Sequence, residues 1–299
     1  MKLFAPAYYQ KFACIADRCQ HTCCVGWEID IDNDTMQKYA ACHDNYGKRI
    51  QVSIDEVDTP HFRLDVNERC PHLDDRGLCK IILNLGEDYL CEICREHPRF
   101  YHDTPYGREV GIGMACEEAA RLILSSDDYQ SIVAIDEIDG DAEVADFDPL
   151  PYRAHIYALL SDASRPYSER LHSLYDTYGI SPTIHSDEEW RKTFASLEYL
   201  DDSHRAMFSS YTSTLSAPIE SAQTLERALA YFIFRHCSDV CDKEDFLAAL
   251  GFCLLCERLL ATLASVYGTE NIITVARIVS EELEYSEDNT EAIKWEFYP

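Results

Sequence analysis

Apolar positions along this chain change their rhythm near residue 150. Beyond Pro151 the segments YRAHIYALLSD, YSERLHSLYDTYG, ERALAYFIFRHC, EDFLAALGFCLLCERLLATLASVYG and NIITVARIVSEELEYS repeat apolar residues at the spacing that lines one face of a helix. Loops containing Pro and Ser separate them. Before Pro151 the periodic runs are short. The spacing predicts a helix over 34–46, a small ribbon over 49–54 and a helix over 82–94. GWEIDID alternates crudely and KRIQVSI better, as short strands do. Cys116 opens a further helical run, CEEAARLIL, with Ala119, Leu122 and Ile123 on one face and acidic residues in its first turn. Turn-forming pieces such as DTPHFRLD, CPHLDDRGLC and DTPYGREVGIG break up this region, so its order is irregular unless something pins it.

The pattern predicts a mainly α protein in two parts. Residues 1–126 form a cysteine-rich, metal-stabilised N-terminal module with a short β ribbon, and residues 127–299 an α-helical body, with one core shared between them or two. The acidic stretch DDYQSIVAIDEIDGDAEVADFDP reads as a surface excursion at the boundary.

Charge narrows the partners. Fifty-four acidic residues against 26 basic ones give a formal charge of −28, which repels nucleic-acid phosphates and suits a basic protein partner. A hydrophobic share of 46% excludes a disordered acidic tail. The start, MKLFAPAYYQKFACIADRC, is no secretory signal, because tyrosine and lysine interrupt any apolar run. No run of eighteen apolar residues occurs, and ALAYFIFRHC is too short to span a bilayer. A cytoplasmic protein without a membrane partner is expected. In that reducing compartment a disulfide framework explains 14 cysteines poorly.

The cysteines are spaced for chemistry. Cys14-x4-Cys19-x3-Cys23-Cys24 is followed by Cys70-x8-Cys79-x11-Cys91-x2-Cys94 and then Cys116. Short spacings let two thiolates converge on one ion, and long gaps let a centre staple distant segments. Neighbouring side chains diverge, so Cys23 and Cys24 cannot play equal parts. Zinc, an iron–sulfur cluster and unliganded buried thiols all remain open on cysteine identity alone. Cys42 reads as a buried helix residue, and His21 and His97 as solvent-facing residues or neighbours of the sulfurs rather than ligands. Arg95, Arg99 and Tyr101 in CREHPRFY are candidates for hydrogen bonds to sulfur, and arginine also clamps carboxylates, including that of a methyl donor. Cys237, Cys241, Cys253 and Cys256 lie in apolar helical patterns and read as core packing.

Several enzyme signatures are missing. GREVGIGMA lacks the G-x-G-x-x-G spacing, and neither H-E-x-x-H nor G-x-S-x-G occurs. The glycine-rich first loop of a methyltransferase sheet is equally hard to place. The many Asp and Glu residues read as solvated faces.

Taken together, PAYYQKFACIADRCQHTCCVGWEIDID, CPHLDDRGLCKIILNLGEDYLCEICREHPRFY and GMACEEAARLIL, with the weaker YFIFRH and EYSEDN, resemble the flagellin lysine N-methylases, the FliB-like proteins, over nearly the whole chain. The resemblance implies methyl transfer from S-adenosylmethionine to the ε-amine of protein lysines, on flagellin or another lysine-bearing protein. It also implies a metal site, an iron–sulfur cluster of the 4Fe-4S type with zinc as the alternative, held by Cys14, Cys19, Cys23, Cys24, Cys70, Cys79, Cys91, Cys94 and Cys116. An electron donor would then be a further partner. Cys19-x3-Cys23-Cys24 departs at its third cysteine from the C-x3-C-x2-C spelling of radical methyl-donor enzymes, so polar and radical routes both stay open. No catalytic base is assigned; Tyr9, Trp27 and Tyr101 line a pocket or pack. The alternative from another class is a metal-binding interaction, assembly or redox protein without methylase activity.

Overall fold

A computed structural model describes residues 1–140, 146–213 and 221–298. The chain divides into two units: Ala13–Pro98, and Met1–Phe12 together with Arg99–Pro299. The first strand, β1 (Lys2–Pro6), belongs to the larger unit.

The smaller unit runs through α1 (Asn33–Ala41), α2 (Asn45–Val52), β2 (Ile54–Asp55), β3 (His61–Phe62), α3 (Lys80–Leu85) and α4 (Glu92–Glu96). The helix expected over 34–46 breaks at Cys42, where Asp44 starts α2 by accepting from Gly47 N at 2.6 Å. Gly47 is required there, since a Cβ would lie 2.4 Å from that of Cys42. Cys42 is thus the half-buried residue that follows α1 and caps its C-terminus, its thiol bonded to Lys38 O at 3.3 Å. The expected ribbon also shifts: Arg49 to Val52 are helical, and the two-stranded pairing sets Ile54 against Phe62. Gly86, at φ +95°, splits the helix expected over 82–94 into α3 and α4. GWEIDID forms no strand beyond an isolated bridge from Asp30 to His61.

What organises this unit is apolar burial. Ile29, Ile31, Tyr39, Ile50, Ile54, Phe62 and Ile81 form one cluster, with Cys70 and Cys91 buried among them. The expected metal-stabilised module is corrected on this point: among the described residues no three cysteines bring their sulfurs within 4.8 Å of one another.

Asp32 ties two helices of this unit together. Its Oδ1 accepts from Thr35 N at 2.9 Å to cap α1, and its Oδ2 accepts from Glu92 N at 2.8 Å to cap α4. Burial alone would raise its pKa, but the two amide bonds outweigh it and hold the carboxyl below its ordinary value. Asp32→Ala loses both caps, and chemical unfolding followed in the 13–98 unit is expected to show a loss of about 2 kcal/mol.

His72 gives the same unit an acid limit. It is 4% exposed, with Nε2 on Ser53 Oγ at 2.9 Å and Nδ1 on Tyr46 OH at 3.1 Å. Burial pushes its pKa down to about 4, so it is neutral when folded. The unfolded histidine, near pKa ~6.5, takes a proton first. The stability it contributes is therefore complete above that value and is lost as pH falls from there towards about 4. The expected slope is up to about 1.4 kcal/mol per pH unit, and His72→Gln should flatten it in urea titrations across that window.

The larger unit adds β4 (Arg99–Thr104), β5 (Gly107–Ile112), α5 (Glu117–Ser125), β6 (Ile132–Glu137), α6 (Leu150–Leu160), α7 (Tyr167–Tyr178), α8 (Asp187–Ser196), α9 (Asp202–Phe208), α10 (Ala222–His236), α11 (Lys243–Tyr267), α12 (Ile272–Glu284) and α13 (Glu287–Trp295). Its four-stranded sheet has the order β4-β5-β1-β6, with β1 parallel to β5 and antiparallel to β6. The hairpin from β4 to β5 pairs Arg99 with Ile112 and Thr104 with Gly107. The acidic excursion expected over 127–149 thus contains an ordered strand, β6, while its residues 141–145 lie outside the described ones.

Helix α11 lies at the centre of the helical body because it is apolar nearly all round. Seventeen of its 25 residues are buried, from Phe246 through Leu254 to Ala264. It is one helix long and apolar enough to cross a membrane by length and composition, yet 89% of that apolar window is buried inside the fold. Cys237, Cys253 and Cys256 are fully buried in this core, whereas Cys241 is exposed.

Candidate functional site

The nine cysteines do not share one environment. Cys14 and Cys23 are exposed, Cys70 and Cys91 buried, and the other five half-buried. Cys116 belongs to the larger unit, immediately before α5. Cys24, Cys70, Cys79, Cys91 and Cys94 pack on the apolar cluster of the smaller unit, as small hydrophobes do. Two contacts stand out, Cys23 with Cys24 and Cys91 with Cys94. The first draws the Cys24 thiol down to about 7 against the effect of burial. In the second, the hydrogen bond from Cys94 lowers Cys91 and raises Cys94. Burial pushes Cys70 up to about 12, and the nearby thiols Cys24, Cys79 and Cys91 add to that. With no three sulfurs within 4.8 Å among the described residues, the expected 4Fe-4S or zinc centre on these cysteines is corrected: the thiols do not converge on one point.

The one group of donors that does converge among the described residues is His204, Glu281 and Glu282. Its capacity is already used. Glu282 accepts from Leu200 N at 2.8 Å, Asp201 N at 3.2 Å and His204 Nδ1 at 2.6 Å. Glu281 is ion-paired with Arg277, a cation that would oppose a metal ion. The group pins the chain entering α9 onto α12.

Three of the quoted segments meet in the larger unit. YFIFRH supplies Tyr231, Arg235 and His236 on α10, EYSEDN supplies Glu284 and Tyr285, and GMACEEAARLIL begins at Gly113. Glu284 Oε1 accepts from His236 Nε2 at 2.7 Å, and Oε2 accepts from the Tyr231 hydroxyl at 3.1 Å. That hydroxyl in turn accepts from Met114 N at 3.1 Å and Arg235 Nη1 at 3.0 Å. Arg235 is sandwiched between the rings of Phe100 and Tyr285 at 4.8 and 4.9 Å. Burial would raise the Glu284 pKa, but Arg235 and His236 overcome it, so the carboxylate stays ionised. Gly113 is needed because a Cβ would sit 2.4 Å from Tyr285 OH. This buried centre locks a strand end onto two helices.

Open space lies elsewhere, in a cleft of about 550 Å³ lined by Asp127, Asp128, Tyr129, Arg170 and Glu226 among others. Glu226 is buried at its floor, bonded to the Tyr129 hydroxyl and to Arg170 Nη1, the latter at 2.8 Å. Arg227 holds Asp127 at 2.7 Å, and the Asp128 side chain is exposed on the rim. The cleft offers carboxylates to a cation. It does not fit the donor that the resemblance implies: its buried arginine, Arg170, is committed to Glu226 and Leu160 O.

The residues expected to contact a donor fall in both units. Arg99 and Tyr101 are on β4 of the larger unit and Arg95 is on α4 of the smaller. Arg99 reaches Tyr9 OH at 3.0 Å and faces Phe12, while Tyr101 is 39% exposed beneath Arg108. Reading the sequence missed Tyr129, Arg170 and Glu226, whose signal was drowned in an acidic composition.

Comparison with known proteins gives the kinship. The lysine-N-methylases of Salmonella typhimurium and Salmonella choleraesuis are each 30% identical over 136 residues, which is 42% of this chain and 33% of theirs. The chain therefore spans about a third of the length of these curated relatives. The flagellar biosynthetic protein FliU of Salmonella muenchen is 30% identical over 136 residues, 79% of its length. No family model and no solved structure matches. On identity extending over most of FliU, the chain belongs to the family of that flagellar biosynthetic protein, with a distant kinship to the lysine-N-methylases.

Proposed function

We propose that this protein transfers a methyl group from S-adenosylmethionine to the ε-amine of protein lysines, with flagellin as the acceptor. The observation that carries the reading is the 30% identity over 136 residues to proteins named lysine-N-methylase. The flagellar name of FliU supports the choice of acceptor. The −28 formal charge supports encounter with a lysine-rich partner. The same kinship supports a cytoplasmic location.

S-adenosylmethionine supplies an electrophilic methyl on a sulfonium. The chain's own part is to bind the acceptor amine, favour its uncharged form by desolvation and take its proton. Asp128, exposed at the open cleft, is the carboxylate proposed to meet that amine, since both oxygens of Glu226 are already held by Tyr129 and Arg170. Arg99 and Tyr101, and separately Arg95, are retained as proposed donor contacts, each to be tested singly. Incubation with methyl-labelled S-adenosylmethionine and flagellin tests the reading: label on lysine supports it. Absence of both donor binding and transfer would favour a protein of interaction or assembly instead.

A further inference from the structure

The sheet of the larger unit ends on one side in β6, which pairs with β1 along one edge and has no strand on the other among the described residues. An unpaired edge presents backbone N–H and C=O groups to any extended chain that can match them. Sheets usually blunt such edges with lysine or proline. The sequence of β6, IVAIDE, contains neither. Although a register shift skips Ile135 and Asp136 Oδ1 takes the Glu137 N–H at the far end, Ile132–Ala134 pairs regularly with β1 and carries no charge, with Val133 39% exposed and Ala134 exposed beside it.

Both ends of this strand open into depressions. At the Ile132 end lies the cleft of about 550 Å³ with Asp127, Asp128, Ser131 and Glu226. At the Glu137 end lies one of about 450 Å³ lined by Met1, Lys2, Glu137, Ile138 and Asp139. Between residues 127 and 139 the chain carries Asp127, Asp128, Asp136, Glu137 and Asp139 and no lysine or arginine. A second copy of this strand would set those carboxylates against their own kind, on a chain of charge −28. The occupant that complements the edge is an extended segment carrying lysines. Strands rise about 3.3 Å per residue, so lysines flanking a segment as long as β6 reach both depressions.

We propose that β6 is a docking strand: an extended, lysine-bearing segment of the acceptor protein adds to the sheet edge and places a lysine in the Asp128–Glu226 cleft. The identity of that acceptor rests on the methylase reading, while the docking strand rests on the sheet edge and its charges. Backbone pairing supplies affinity, and Asp128 at one end, with Glu137 and Asp139 at the other where Lys2 offsets part of the charge, supplies selection for lysine.

Hydrogen–deuterium exchange on the full chain tests it, using as probes flagellin and an acetylated, amidated peptide, Lys-Thr-Val-Ser-Val-Thr-Lys. Expected are slowed exchange over residues 132–137 and binding that weakens with salt. Methylating alternate backbone nitrogens of the peptide should weaken binding by roughly tenfold or more. The surface double variant Asp128→Asn, Glu137→Gln should do likewise and flatten the salt dependence, with its unfolding curve unchanged. Unaltered exchange over 132–137 at saturating flagellin would overturn the proposal, as would indifference to backbone methylation. Protection that rises with protein concentration alone would assign the edge to a second copy and overturn it too. Lysine methylation without protection of 132–137 would remove the docking strand and leave the methylase reading standing. Protection without methylation would do the reverse.

Discussion

Glu284→Gln is expected to destabilise the larger unit by about 3–5 kcal/mol, because it removes one partner of a buried charged centre while leaving the other in place. Glutamine keeps the size of glutamate, so no cavity confuses the result. Arg235, whose side chain is 11% exposed, loses its counter-charge, and because glutamine keeps only one acceptor oxygen, either His236 or the Tyr231 hydroxyl meets an amide N–H in place of its acceptor. The centre also fastens Met114 through Tyr231, so the loss should spread to the end of β5. Urea unfolding at neutral pH measures the total, and hydrogen exchange at Gly113 and Met114 locates it. A loss under about 1 kcal/mol, the range of an exposed pair, would mean that water reaches this centre.

Arg153→Leu should cost about as much, for a related reason. Arg153 and Glu109 are both fully buried, joined through two hydrogen bonds of 2.8 and 3.0 Å. Tyr106 donates to the same carboxylate at 2.8 Å, and Arg153 also reaches Ser238. Burial would raise the Glu109 pKa, and Arg153 more than compensates, which keeps the carboxyl below its ordinary value. Without Arg153 that carboxylate is stranded. The double variant Glu109→Leu, Arg153→Leu should therefore lose much less than the sum of the two single changes. Additive losses in a double-mutant cycle would show that the two side chains stabilise the fold independently.

These two centres mark where the sequence stopped being legible. The helices of the body could be read because each keeps one apolar face at helical spacing; α7 and α12 fall within the expected segments, while α6, α10 and α11 overlap theirs and begin one to four residues earlier. The sheet could not. Strand β5 is buried on both faces at Glu109, Val110, Gly111 and Ile112, so the alternation that betrays a half-buried strand is absent. Glu109 looks like one more solvated acid until Arg153, 44 residues away, comes to meet it. Glu226 and Glu284 are hidden in the same manner. In the smaller unit, Gly86 and the Cys42–Gly47 contact interrupt helices whose apolar spacing runs straight through them. The cysteine spacing invited a metal centre, yet the fold uses five of those thiols to cover an apolar cluster. The segments GMAC, YFIFRH and EYSEDN are far apart in the sequence, and only the fold brings them into one buried centre.

Mapping methylated lysines on flagellin by mass spectrometry, after incubation with this protein and isotopically labelled S-adenosylmethionine, tests the central claim most directly. Parallel reactions with and without reductant separate a polar transfer from one that needs electrons, and a reaction lacking the protein sets the background. The methylase account predicts labelled methyl groups on lysine ε-amines of flagellin, in amounts that rise with protein and time. Flagellin lysines left unlabelled in both reactions, with the labelled donor bound to the protein, would contradict it.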